Sequence, residues 1–219
     1  RVEIIRDLRL GEYDVLIVRS ATKVTREIID AGTRLKIIAR GGVGLDNIDV
    51  EYAQEKGLQV VNTPMASSRA VAELAIGHIF ALSRMLHRSN REMPGGADFK
   101  KLKKNYEVGF QLRGKTLGIV GFGRIGQEVA KIGLGLGMHV RAHDPFVQEA
   151  EIALQFQAFD DLRIGVKIRT ESLDRILRES DYLTFHLPGI GKALVGAAEI
   201  EKMKNGVFVV NTARGGIIE

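Results

Sequence analysis

Short apolar runs rich in β-branched residues alternate along the chain with segments of helical period. That alternation is the pattern of a parallel sheet with helical crossovers. A first set of strands is expected at Tyr13–Val18, Leu35–Ala39 and Leu58–Val61. Between them, Thr25–Ala31 reads as a helix capped by Thr25, and Asp49–Lys56 as one capped by Asp49 and stopped by Gly57. A long helical pattern then covers 68–91, with Val71, Leu74, Ala75, Ile79, Leu82 and Leu86 apolar, until Pro94-Gly95-Gly96 ends it. Residues 95–113 are polar and irregular and read as a junction. A second set of strands follows at Thr116–Val120, Met138–Ala142, Tyr182–His186 and Val207–Asn211, with helices at Ile125–Leu136, Ser172–Arg178 and about Glu199–Lys204. The pattern predicts an α/β protein of two βαβ assemblies, 1–95 and 96–219, joined by the long helix.

One segment departs from this rhythm. Ile152, Leu154 and Phe156 alternate with polar or small residues, as do Leu162, Ile164, Val166 and Ile168, with Asp160-Asp161 between the two runs. A period of two on both sides of a polar turn predicts an inserted β-hairpin over 151–170. It is expected to stand apart from the parallel sheet, as a surface embellishment or an interface element.

Composition narrows the function classes. With 45% hydrophobic and 27% charged residues, the chain has the profile of an ordinary soluble domain, and its apolar runs are far too short to span a membrane. Nothing in Arg1-Val2-Glu3-Ile4 reads as a signal peptide. The absence of cysteine excludes disulfides and thiolate chemistry, and fits a cytoplasmic location. The net charge of +5 is scattered, apart from Lys100, Lys101, Lys103 and Lys104, which read as a solvated loop. No basic patch with interleaved aromatics points to nucleic acid, whereas a modest positive balance suits small anionic ligands. His78 on the long helix reads as a core or interface histidine, His87 and His139 fall in no pattern, and no cluster has metal-ligand spacing.

The chemistry concentrates at strand ends. Gly121-Phe122-Gly123-Arg124-Ile125-Gly126 is a G-x-G-x-x-G run that follows a buried strand and opens a helix. Such a run places free N–H groups of the first helical turn, from Arg124 and Ile125 onward, against an anion. Asp144 ends the next strand, eighteen residues past Gly126, where a carboxylate accepts hydrogen bonds from an adenosine ribose. The acid favours NAD over NADP, with Arg141 and His143 nearby as counterweights. Arg214 lies past the last strand, before Gly215-Gly216, where an α/β sheet places its ligands; a salt-bridging surface arginine is the plainer alternative. Arg19 and Arg40 each follow or end a strand of the first set, and parallel neighbours would deliver both guanidiniums to one edge, where they either meet an anionic substrate or are simply two solvated arginines. Gly41-Gly42-Val43-Gly44 either turns consecutive N–H groups toward an anion or is simply a flexible turn, and the residues alone leave both open.

Four stretches, VRSATKVT at 18–25, LKIIARGGVGLDNIDVEYAQEKGLQVVNTP at 35–64, LRGKTLGIVGFGRIGQEVA at 112–130 and GVFVVNTARGGIIE at 206–219, resemble the D-isomer-specific 2-hydroxyacid dehydrogenases. Within that family they are most similar to the enzymes acting on D-3-phosphoglycerate. The resemblance implies two Rossmann-like or flavodoxin-like parallel-sheet domains, the first binding substrate, the second NAD, and a homodimer formed through the second. It implies that Arg214 pairs with the substrate carboxylate and that Gly41, Gly42, Val43 and Gly44 hold it through their amides, with Val43 also touching the cofactor. Arg19 and Arg40 match positions that favour a phosphorylated substrate. His186 and Pro188 of the FHLP stretch, with Thr212, Ala213 and Arg214, border the cofactor, and His186 is not given the proton transfer. The family's proton shuttle, a histidine supported by a glutamate, follows the arginine, beyond residue 219, so residues 1–219 alone are expected to show no turnover.

Three functions remain in view: NAD-dependent oxidation of D-3-phosphoglycerate; the same chemistry on glyoxylate, hydroxypyruvate or another small 2-hydroxyacid; and a non-enzymatic NAD-sensing corepressor-like protein on the same fold.

Overall fold

The computed structural model describes residues 9–95, 98–156 and 162–219. It divides into two compact units, Arg1–Ser67 and Ser68–Glu219.

In the first unit, β1 (Val15–Val18), α1 (Arg26–Ala31), β2 (Ile37–Arg40), α2 (Val50–Glu55) and β3 (Gln59–Asn62) follow in chain order. The three strands are parallel, in the order β1-β2-β3, with Val18 opposite Arg40 and Arg40 opposite Asn62. Val18, Val24, Ile29, Ile38, Ile48 and Ala53 form its core. The cap at Asp49 is made, since its Oδ1 accepts the Tyr52 amide at 3.1 Å. Thr25 holds the N-cap position of α1 without capping it, because its hydroxyl donates to the Glu27 carboxylate.

The second unit opens with α3 (Ser68–Ser83), α4 (Leu86–Glu92) and α5 (Phe99–Tyr106). It continues through β4 (Thr116–Val120), α6 (Arg124–Gly135), β5 (His139–His143), β6 (Glu149–Phe156), β7 (Leu162–Arg169), α7 (Leu173–Glu179), β8 (Tyr182–Phe185), α8 (Ala197–Ile200) and β9 (Phe208–Asn211). Its main sheet is parallel, in the order β5-β4-β8-β9. One face carries Ala72, Ala75, Ile76 and Ile79 of α3 and Val129 and Ala130 of α6; the other carries Ile176 and Leu177 of α7.

Three expectations are corrected here. The helical pattern over 68–91 is two helices, and the first packs on α6 within the second unit, so the boundary falls after Ser67 rather than at 95. The break has a tertiary cause. The Ser83 carbonyl accepts the Phe110 amide at 2.9 Å, the Ser83 hydroxyl bonds the Ile79 carbonyl and the Tyr182 hydroxyl, and Met85 turns left-handed at φ 53°. The lysine run is helix, not loop: Asp98 accepts the Lys100 amide at 2.9 Å, Leu102 is buried, and Lys103 and Lys104 lie where the helix dipole favours cations. The last helix is shorter than expected and ends at Ile200.

The hairpin is present as an antiparallel pair in its own two-stranded sheet, with Glu149 opposite Arg169 and Ile152 opposite Val166. Its Asp160-Asp161 turn lies outside the described residues. It is more than an embellishment, because Ile152 and Ile168 are buried in the same cluster as the main sheet and α6. No helix among the described residues is long and apolar enough to cross a membrane.

Candidate functional site

The glycine-rich turn follows β4 and opens α6. Gly121 has φ 94°, and a Cβ there would meet the His186 carbonyl oxygen at 2.6 Å; a Cβ on Gly126 would meet the Gly121 carbonyl oxygen at 2.1 Å. Both positions therefore require glycine, the first for the turn and the second for close packing of helix on strand. Around Gly123 an added Cβ meets nothing within 4 Å, so the mouth of the turn is open space. The Arg124, Ile125 and Gly126 amides begin α6 and have no intrahelical acceptor. An open mouth lined by unpaired N–H groups fits a pyrophosphate.

Asp144 closes the far side. Its Oδ2 accepts the Phe122 amide at 2.7 Å, and its Oδ1 accepts those of Phe146 at 2.8 Å and Val147 at 3.1 Å. The carboxylate is thus fixed between the turn and the loop after β5, with one of its roughly four lone-pair sites left for a ribose hydroxyl. Arg141 is no competitor for the site, since its guanidinium bonds both Glu171 oxygens at 2.9 Å and Glu179 at 2.8 Å. The His143 ring is also held, with Nδ1 at 2.8 Å from the Glu171 carbonyl.

At the same end of the sheet, His186 follows β8 and Thr212 follows β9, and the register of Phe185 with Asn211 makes them neighbours. His186 Nε2 lies 2.9 Å from the Thr184 hydroxyl, whereas its Nδ1 is buried and has no partner among the described residues. The Thr212 Oγ1 is buried and unpartnered as well. Burial lowers the His186 pKa to about 4, which keeps the ring neutral. One orphaned polar atom on the residue against the glycine turn, and a second at the neighbouring strand end, are what a site for a polar ligand leaves behind. The tip carrying Arg214 is shaped by Asn211, whose side chain accepts from the Ala213 amide and donates to the Arg214 carbonyl, both at 3.0 Å. Arg214 is half-buried, and Pro188 is exposed.

In the first unit, Arg19 and Arg40 leave neighbouring strands at the same end, as expected, and neither is ion-paired among the described residues. Arg19 is exposed; Arg40 is half-buried, its Nε has no partner among the described residues, and its guanidinium lies against Gly42. The glycine loop differs from the expectation of four amides turned to an anion. The Gly41 amide donates to the Val18 carbonyl at 2.9 Å and the Gly42 amide to Thr63 Oγ1 at 2.8 Å. Only the Val43 and Gly44 amides meet no acceptor among the described residues. Asn62 fixes the loop by donating to the Val43 carbonyl at 2.7 Å. Thr63, Asn62 and Thr184 were not singled out in the sequence. The only available signal was a polar residue at the end of, or inside, an otherwise apolar strand.

His78, His87 and His139 are exposed, which corrects the core half of the reading of His78, and no metal-binding cluster exists among the described residues. An apolar cavity of about 390 Å³, lined by Val195, Ile200, Met203, Val207, Val209 and Ile218 among others, runs beside β9 and includes none of the residues above.

Comparison with known proteins agrees with this geometry. The family described as D-isomer specific 2-hydroxyacid dehydrogenase, NAD binding domain, matches residues 76–219. A hydroxypyruvate reductase of Thermotoga maritima is 47% identical over 96% of this chain and 63% of its own length. A D-3-phosphoglycerate dehydrogenase of Archaeoglobus fulgidus is 41% identical over all of this chain and 39% of its own. Among solved structures, the NAD-bound 3-phosphoglycerate dehydrogenase of Entamoeba histolytica superposes with a TM-score of 0.72 at 32% identity, covering 99% of this chain and 60% of that one. The chain thus spans between about two fifths and just under two thirds of the length of these relatives. The glycine turn, Asp144 and the open helix start make NAD the cofactor of the second unit. The chain belongs to the D-isomer-specific 2-hydroxyacid dehydrogenase family.

Proposed function

We propose that the full-length protein oxidises D-3-phosphoglycerate to 3-phosphohydroxypyruvate, the oxidative step that feeds serine synthesis. NAD, when bound, accepts the hydride that leaves C2 of the substrate. Arg214 pairs its guanidinium with the substrate carboxylate and polarises the forming carbonyl. It stays charged and takes no proton. His186 is not the base either, because burial holds its pKa at about 4 and Thr184 occupies its Nε2. Neither residue takes the proton of the substrate hydroxyl, a task that family resemblance gives to a histidine supported by a glutamate. Family membership also supports a homodimer through the nucleotide unit, which light scattering checks.

The observation that carries the substrate assignment is the pair of guanidiniums, Arg19 and Arg40, leaving neighbouring parallel strands at one end. Neither has a carboxylate partner among the described residues, so both are available to a phosphate. A second substrate, hydroxypyruvate in the reductive direction, is favoured by the name of the 47% identical relative. Steady-state kinetics on the full-length protein separate the two. Arg19→Ala and Arg40→Ala are each expected to lower kcat/KM for phosphoglycerate by about 10- to 100-fold, the usual effect of losing a charged hydrogen bond, and to leave unphosphorylated substrates within about two-fold. Equal losses on both substrate types would overturn the phosphoglycerate assignment.

A further inference from the structure

We propose that Thr184 is a positioning residue of the nucleotide site: its buried hydroxyl donates to His186 Nε2 and thereby fixes the ring as the Nδ1–H tautomer, a donor for a phosphate or sugar oxygen of bound NAD. The inference rests on the NAD site described above and adds a residue behind it.

Thr184 is fully buried in the centre of the sheet, between Leu183 and Phe185, and all four residues of β8 are buried. Valine has nearly the same shape and suits a buried strand at least as well. A hydroxyl in such a place costs stability unless it is hydrogen-bonded. Its one partner among the described residues is His186 Nε2, at 2.9 Å. Alternation along the strand puts Thr184 and His186 on the same face, so the contact is built into the strand and needs no loop to form it.

The choice of tautomer follows from counting. A neutral imidazole has one N–H and one lone pair, and the bond made by one nitrogen sets the state of the other. If Nε2 carried the proton, Thr184 would accept it, and both the threonine O–H and the Nδ1 lone pair would be buried without partners. If the hydroxyl donates to Nε2, the single unmet donor is Nδ1–H. Of the two ring nitrogens, that atom is the one sealed from solvent with no partner among the described residues. It belongs to a residue whose amide bonds the Val120 carbonyl at 2.8 Å and whose own carbonyl oxygen lies against Gly121, the first glycine of the phosphate turn. The unpartnered Thr212 hydroxyl lies at the neighbouring strand end. A donor aimed beside that turn awaits an oxygen that arrives with the nucleotide. Burial keeps the ring neutral, so the arrangement persists through the ordinary pH range.

Two measurements test this. Long-range proton–nitrogen correlation on the nitrogen-15-labelled wild-type protein reports the His186 tautomer directly. Protonated Nδ1 is expected, and protonated Nε2 overturns the proposal. Fluorescence titration with NADH then compares Thr184→Val with Thr184→Ser. Valine is expected to weaken NADH about ten-fold, the effect of one lost hydrogen bond, and serine to restore binding to within about two-fold of wild type. A valine variant that binds as tightly as wild type overturns the proposal while leaving the NAD site intact. A wild-type protein that takes up no NADH overturns the function proposed above, and this inference with it. The tautomer measurement needs no variant, so it decides the matter even if the valine protein fails to fold.

Discussion

At the scale of single residues, the chemistry is concentrated at the ends of parallel strands, where short polar residues follow apolar runs. His186 makes one consequence measurable. Folded, it takes up a proton only near pH 4, against an ordinary value of 6.5, because burial disfavours the charged ring. Below pH 6.5 the unfolded chain therefore binds the proton first. The stability tied to the neutral ring is complete above that pH and is lost as pH falls toward 4, by about 3 kcal/mol at most. Urea denaturation at pH 7 and pH 4.5, on wild type and His186→Gln, checks this. The wild type is expected to lose more stability than the variant over that interval, and equal losses would show that the ring is not buried as described. Carboxylates such as Asp181, whose partial burial works to raise its pKa but is outweighed by the Thr116 amide and Lys204, which bring it below the usual value, also lose stability on acidification, but they do so in both proteins. The placement of the candidate residues, though not their roles, is legible in the sequence. Gly121, Gly126, Asp144, Arg19 and Arg40 sit where their spacing from strand and helix put them. What spacing could not give was hydrogen-bond allocation. Gly41 and Gly42 spend their amides on Val18 and Thr63, and those partners become neighbours only once the strands have paired.

At the scale of elements, the strands were read to within a residue or two because period-two apolar runs and buried parallel strands leave a strong local signature. Helix ends were read less well, and the reasons are tertiary. The pattern through Leu82 and Leu86 is continuous, yet the helix stops at Ser83 because Phe110, distant in sequence, claims the Ser83 carbonyl. The α5 helix was missed because four lysines mask a single buried contact at Leu102. The hairpin was found, but not its packing. Its apolar face runs from buried Ile152 and Ile168 at the base to Leu162 and Ile164, which are exposed near the tip. The two ends should respond differently to truncation. Ile152→Ala removes side-chain volume from the main cluster and is expected to cost about 2–4 kcal/mol. Ile164→Ala, on the exposed part, is expected to stay within about 0.5 kcal/mol. Urea midpoints for the two variants decide this, and similar losses would mean the hairpin is covered along its whole length.

At the scale of the whole molecule, the second unit holds the nucleotide turn, Asp144 and the β8 and β9 tips, whereas the first holds Arg19, Arg40 and the glycine loop. Nucleotide binding should therefore report on how unfolding is shared between the units. A ligand that binds only the folded form stabilises it by RT ln(1 + [L]/Kd), about 2.7 kcal/mol at a hundred-fold excess over Kd. Amides of β4 and β8 lie in the fully buried centre of the second sheet and exchange only when that unit opens. At such an NADH concentration their hydrogen exchange is expected to slow about 100-fold. The strands β1 to β3 then discriminate between two behaviours. If the units unfold separately, exchange in β1 to β3 stays at its ligand-free rate. If they unfold as one body, it slows by the same factor. Unchanged exchange in β4 and β8 would remove the nucleotide from the second unit altogether, since no ligand can bind the glycine turn without stabilising the strand that presents it.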